Sequence, residues 1–158
     1  MLISSTDEFQ AFMFEQLHFL PEMNGNYTCY SDREHPEGGY CCIYCREGCY
    51  QLGIADYTIP EDFSVSFRNP ARQLRFGVML SGKTHFKLYQ KDAASFTPSS
   101  FIVLEENIKG QQAWRAGDHF HGLELTVSAD FIENVLYPVF PDLSLIHISE
   151  PTRPEPIS

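Results

Sequence analysis

The chain has 158 residues, enough for one domain that buries a core without disulfide or metal staples. Its composition, 43% hydrophobic and 14% aromatic, is globular, and its formal charge of −10 repels phosphate, so this segment is not expected to bind nucleic acid by itself. No apolar run is long enough to span a bilayer, "MLISSTDEFQ" lacks the pattern of a signal peptide, and five cysteines, an odd number, suit reduced thiols better than a secreted disulfide framework; a cytoplasmic home is expected.

The first segment reads as a helix. Thr6 is placed to cap it, Asp7 and Glu8 suit the positive end of its dipole, and Phe9, Phe12, Met13, Leu17 and Leu20 recur at helical spacing until Pro21 stops it. From Asn24 to Gly39 the chain is polar and rich in turn formers, a loop with at most a short extended piece at "YTCY". After Gly39 come short runs rich in β-branched and aromatic residues: "YCCIYC", "CYQLGIADYTI", "FSVSF", "QLRFGVML", "THFKLYQ", "SFIVLEE", "GQQAWRAG" and "FHGLELTV". Between them stand "REG", "PED", "RNPA", "SGK", "KDAASFTPSS" and "NIKG". Many short strands with frequent turns predict an antiparallel sandwich or barrel. "LRFGVMLSGKTHFKLYQ" reads as a hairpin turning at Ser81-Gly82-Lys83. Ser128 is expected to cap a second helix, "ADFIENVLYP", with Phe131, Val135 and Leu136 on its apolar side and Pro138 ending or kinking it.

The stretches "CYQLGIADYTIPEDFSVSF", "LRFGVMLSGKTHFKL" and "TPSSFIVLEENIKGQQAWRAGDHFHGLELTVSADFIENVL" resemble the N-terminal sensor domain of AraC-family transcriptional regulators. The likeness covers roughly Gly39 to Pro141. It implies a mainly β fold: a cupin-like antiparallel β-barrel of jelly-roll type, with an N-terminal helix and a C-terminal helix. It further implies a small-molecule effector as partner, a homodimer in the full-length protein, and DNA contact only through a C-terminal helix-turn-helix domain that this sequence does not contain. No enzyme activity, cofactor or membrane partner is expected.

The string "LSLIHISEPTR", Leu143 to Arg153, resembles the translated end of a transposon-type sequencing adapter. Residues 1–142 are accordingly expected to be the effector-binding and dimerisation domain, and 143–158 a non-native or disordered tail. A Pro-rich interdomain linker is the alternative.

Five residues are the expected ligand contacts: Arg75, His85, Tyr57, Trp114 and His119. Polar side chains on otherwise apolar strands are the best candidates for lining a barrel interior. Arg75 is expected either to be held by a carboxylate or to meet an anionic or polyol effector, because a buried lone charge is too costly to persist. "HFHGLE" offers a metal alternative. His119 and His121 share a strand face, but Glu124 falls on the opposite one unless Gly122 opens a bulge. That alternative would make the chain a stand-alone metal-dependent cupin enzyme. Cys41 and Cys45 share one strand face with Cys42 on the other, and a turn at Arg46-Glu47-Gly48 would set Cys45 across from Cys49. Buried packing is the plain reading of these thiols, and a metal or redox sensor the sharper one. Arg68 and Arg72 read as solvated and charge-paired.

Overall fold

The computed structural model describes residues 2–88, 94–96 and 99–139; for 84–88, 94–96, 99, 101, 102 and 104 it describes the backbone alone. The chain runs β1 (Leu2–Ile3), α1 (Thr6–Gln16), β2 (Leu20–Asn24), β3 (Tyr27–Ser31), a 3-10 turn (Pro36–Gly38), β4 (Gly39–Arg46), β5 (Tyr50–Thr58) and β6 (Phe63–Ser81). It continues through β7 (Thr84–Leu88), β8 (Ala94–Phe96), β9 (Ser99–Trp114) and β10 (His119–Ser128) to α2 (Ala129–Phe131), a π-helical segment (Ile132–Leu136) and α3 (Tyr137–Val139).

The strands hydrogen-bond in the order β2-β3-β4-β5-β10-β6-β9-β7-β8, with β1 parallel to β6. Two strands are long because each turns a corner. β6 shifts register against β9 between Asn69 and Arg72, and in β9 Asn107 takes a left-handed φ of 47°. Divided at those corners, the segments from β5 onward form two rows of four. The first is β5, β10, 72–81 and 99–106; the second is 63–69, 108–114, β7 and β8. In chain order these rows read 1-8-3-6 and 2-7-4-5, the two interlocked Greek keys of a jelly roll. β4, β3 and β2 extend the first row. The expected mainly β, jelly-roll class therefore stands, although among the described residues the hydrogen-bonded path runs open from β2 to β8 and does not close into a barrel.

Phe120 and Tyr57 of the first row share one cluster with Val65, Phe67 and Trp114 of the second, which defines the inner face between the rows. α1 seals one end of it with Phe12, Met13 and Leu17. Phe63 stacks on Trp114 at 4.9 Å and meets Phe12 edge-on at 5.9 Å. Burying such large rings drives this end of the fold together.

Several sequence expectations change. Ser5, not Thr6, caps α1: its hydroxyl accepts from the Glu8 N–H at 3.1 Å, while Thr6 Oγ1 accepts from Asn69 Nδ2 at 3.0 Å. The helix stops before Pro21, at the left-handed His18. Phe19 is then buried and Leu20 exposed, and Pro21 sits in a strand. The loop read over 24–39 holds the second arm of a β2–β3 hairpin that contains "YTCY". "RNPA" and "NIKG" are corners inside continuous strands rather than breaks between strands. The hairpin expected at Ser81-Gly82-Lys83 does not form: β6 pairs with β9 and β10, and β7 with β8 and β9, because this turn crosses between the two rows. Gly82 suits the crossing, with a φ of 123° and a position where a Cβ would lie 2.6 Å from the Phe120 ring. Ser128 caps α2 as expected, its Oγ accepting from the Phe131 N–H at 3.2 Å, but Pro138 lies within the last described helical turn instead of ending it.

The cysteines also differ from expectation. Cys29 and Cys42 face each other across the β3–β4 ladder and form a disulfide. Cys45 stands opposite Gln51, not Cys49, because the turn spans Glu47 to Cys49 with Gly48 at a φ of 70°. Cys41, Cys45 and Cys49 are free.

Candidate functional site

In the middle of the first row the inner face changes character. Cross-strand register places Gly53, Glu124 and Gly77 side by side on β5, β10 and β6. A Cβ added at Gly53 would meet nothing closer than 4.0 Å, so the carboxylate of Glu124 rises from a floor without side chains on its β5 flank. Two pairs along, on the same face, Thr126 aligns with Arg75.

Arg75 binds two carboxylates. Its Nε and one terminal nitrogen reach Glu124 at 3.1 and 2.6 Å, a bidentate clasp, and its other terminal nitrogen reaches Glu105 at 2.5 Å. Gln73 Nε2 donates to the second oxygen of Glu105 at 2.7 Å. Glu105 is the buried charge of the group, at 7% exposure, while the side chains of Arg75 and Glu124 keep 31% and 39%. Burial opposes the charge on Arg75, but Glu124 and Glu105 more than offset it, so the guanidinium is held charged more firmly than a free one. One cation between two carboxylates leaves the group with net negative charge.

Cys41 and Tyr57 line the same face. Burial, and then the nearby Glu124 charge, push the Cys41 thiol up to about 12. Burial likewise raises the Tyr57 phenol, with smaller contributions from Cys41 and Glu124. Both stay protonated at neutral pH and can donate.

The expected ligand contacts are dispersed. Arg75 lies on the inner face and is held by carboxylates, the first of the two situations expected for it. Tyr57 is also inside, stacked on Phe120 at 5.6 Å. Trp114 is 3% exposed in the core, between Phe63 and Phe9. His119 is half exposed on the outer face, where Nε2 meets Asp56 Oδ1 at 2.9 Å and Nδ1 meets Thr58 Oγ1 at 3.0 Å. His85 is described by its backbone alone, opposite Ala113. The metal alternative needed a bulge in β10. The bulge beside Gly122 lies instead in β6, at Leu80, and β10 keeps unbroken register with β5. Glu124 thus remains on the face opposite His119 and His121, and no cluster of three metal-binding side chains occurs among the described residues. Arg72 pairs with Glu133 and, at 3.9 Å, with Glu106, and Arg68 is exposed.

Sequence reasoning missed Glu105 and Gln73, and considered Glu124 only as a metal ligand. A signal was present. In "SFIVLEE" and "GLELTV" a carboxylate interrupts an apolar strand, as Arg75 does in "QLRFGVML".

The family model described as "Regulatory protein PchR N-terminal domain" matches residues 33–150, three quarters of the chain. No curated protein sequence matches. Among solved structures, an RmlC-like cupin family protein with a double-stranded β-helix fold from Methanocaldococcus jannaschii is 8% identical over 73% of this chain and 95% of its own, with a TM-score of 0.42. KdgF from Halomonas sp. is 11% identical over 58% of this chain and 80% of its own, at 0.39. HutD from Pseudomonas fluorescens SBW25 is 15% identical over 71% of this chain and 57% of its own, at 0.41. All three likenesses are remote. The chain belongs to the family of PchR N-terminal domains, the cupin-like regulatory domain of AraC-type regulators.

Proposed function

We propose that this domain senses a small-molecule effector held on the inner face beside Glu124 and Arg75. The supporting observation is the Arg75–Glu105–Glu124 group itself. A hydrophobic interior would be at least as stable at these positions, so a charged group retained there calls for a role other than folding. The site binds its ligand and does not transform it. Because Arg75 is already overcompensated, an anionic effector is disfavoured. A polyol or an amine suits the site: either can donate to the free lone pairs of Glu124, and a polyol hydroxyl can also accept from Tyr57 or Cys41. Effector binding shifts the packing of the flanking helices in a homodimer, and so the presentation of DNA-binding units elsewhere in the regulator. A regulator of this kind works in the cytoplasm, beside DNA.

The test is a thermal-shift panel of sugars, polyols, amines and carboxylates against wild type, Glu124→Gln and Gly53→Leu. Compounds rich in donors are expected to stabilise wild type and to lose that effect in both variants. A compound that stabilises Glu124→Gln as well as wild type would place the site elsewhere. Stoichiometric transition metal in the purified protein, lost on His121→Ala, would favour the metal-dependent enzyme.

A further inference from the structure

We propose that Cys29 and Cys42 are a redox-active pair whose state sets how firmly α1 is held over the inner face. The two lie directly opposite one another on β3 and β4, half-buried on the outer face. The stacked Tyr27–Tyr44 pair flanks them on one side and the Ser31–Tyr40 pair on the other. Small thiols can reach sulfurs so placed. The other three cysteines are poorly set to attack them. Strand alternation puts Cys41 and Cys45 on the opposite face of β4, and Cys49 lies in the turn at the far end of the β4–β5 hairpin. The reaction partner is therefore an external low-molecular-weight thiol. Two thiols each give up a proton and an electron and form their own disulfide, while Cys29 and Cys42 become two thiols; the oxidised form of the same thiol reverses the step.

The consequence for α1 follows from connectivity. β3 is held to the rest of the sheet by a short ladder, Thr28 to Ser31 against Tyr40 to Ile43, and the disulfide clamps its middle. Tyr30, next to Cys29, points inward and stacks on Phe14 of α1 at 3.9 Å, with planes 12° apart. From Phe14 the aromatic series continues to Phe19 at 6.4 Å, to Tyr57 at 6.0 Å and to Phe120 at 5.6 Å. Loosening β3 thus loosens the seat of α1 and, through Phe19, the packing of Tyr57 on the inner face. The inference rests on the regulator reading in one respect: that reading places the chain among cytoplasmic thiols, where a persistent disulfide is more often a sensor than a staple.

The experiment uses the full chain equilibrated in glutathione buffers of varied ratio. Thiols are counted by alkylation and mass spectrometry, and α1 is followed by amide exchange. Two thiols per chain are expected to appear together, at Cys29 and Cys42, within the range of glutathione buffers. The α1 amides should then exchange about tenfold faster, as in local opening. A variant with Cys45 and Cys49 both changed to Ser should behave alike. The proposal is overturned if the bond never forms with excess glutathione disulfide, if it survives excess glutathione, or if it opens without changing α1 exchange. It is also overturned if Cys29→Ser/Cys42→Ser unfolds by circular dichroism, since the bond is then a staple. No effector enters these measurements, so failure of the sensing proposal in the ligand panel leaves their outcome readable.

Discussion

The same three strands, β5, β10 and β6, present two opposite characters. Their inner side carries Glu124, Arg75 and Thr126 beside Gly53 and Gly77. Their outer side carries Ile54, Leu123 and Val78 in one cross-strand row, each more than a third exposed. A fold built for stability alone would set these sides the other way round. At the α1 end the ordinary order returns, with Trp114, Phe63, Phe12 and Phe120 inside. The contrast separates a part of the inner face that holds the protein together from a part that gives up packing for a charged recess.

Mutations can break or sharpen this contrast. The largest effect is expected at the packed end, where Trp114→Ala should cost about 3–5 kcal/mol by urea denaturation, since the cavity it leaves lies among rings that cannot collapse into it. Arg75→Met should cost about 2 kcal/mol, less than a fully buried pair because the group is partly solvated, by leaving Glu105 buried without its cation. Replacing Arg75, Glu105 and Glu124 together with Met, Leu and Leu should recover most of that loss. A triple variant less stable than Arg75→Met would mean that the charged group supports the fold after all. A smaller effect depends on pH. Cys41 ionises near 9.0 when unfolded but near 12 when folded, so its contribution is intact below pH 9 and fades as pH rises toward 12. Cys41→Ala should flatten the alkaline fall of the denaturation midpoint. The smallest effect belongs to the outer row, where Leu123→Ser should change stability by no more than about 0.5 kcal/mol. A loss as large as that of Arg75→Met would show that something covers this row.

What could be read in advance depended on whether a residue's role is local. The apolar period of α1 and the alternation of the long strands are local patterns, and Phe9, Phe12, Met13, Arg75 and Tyr57 fall where those patterns put them. The rest turns on register between distant strands. Glu105 matters because β9 lies against β6 and brings it to Arg75, thirty residues away. The disulfide was missed because an odd cysteine count says nothing of which pair will face each other. Within its polar, turn-rich stretch "YTCY" reads as at most a short extended piece, yet it is the strand that sets Cys29 opposite Cys42. The expected hairpin at Gly82 failed for the same reason. A tight turn between two apolar runs looks alike whether the runs pair with each other or with strands elsewhere.

The ribbon of β6 and β9 also bears on how quickly this domain reaches its native state. Its innermost pair, Met79 with Ser99, joins positions 20 apart; its outermost, Phe63 with Trp114, joins positions 51 apart. Because loop closure grows more costly with length, the least expensive order is to zip outward from Met79 and Ser99, through the slip at Asn69, until Trp114 meets Phe63. β10 takes its place between β5 and β6, and its ladder with β5 joins positions from 61 apart, His119 with Thr58, to 77 apart, Val127 with Tyr50. Assembly of the first row therefore waits on the most distant strand pairings among the described residues, the circumstance in which β proteins fold slowly. The aromatic cluster under α1, completed last on this route, would then contribute little to the folding barrier and a great deal to the barrier against unfolding.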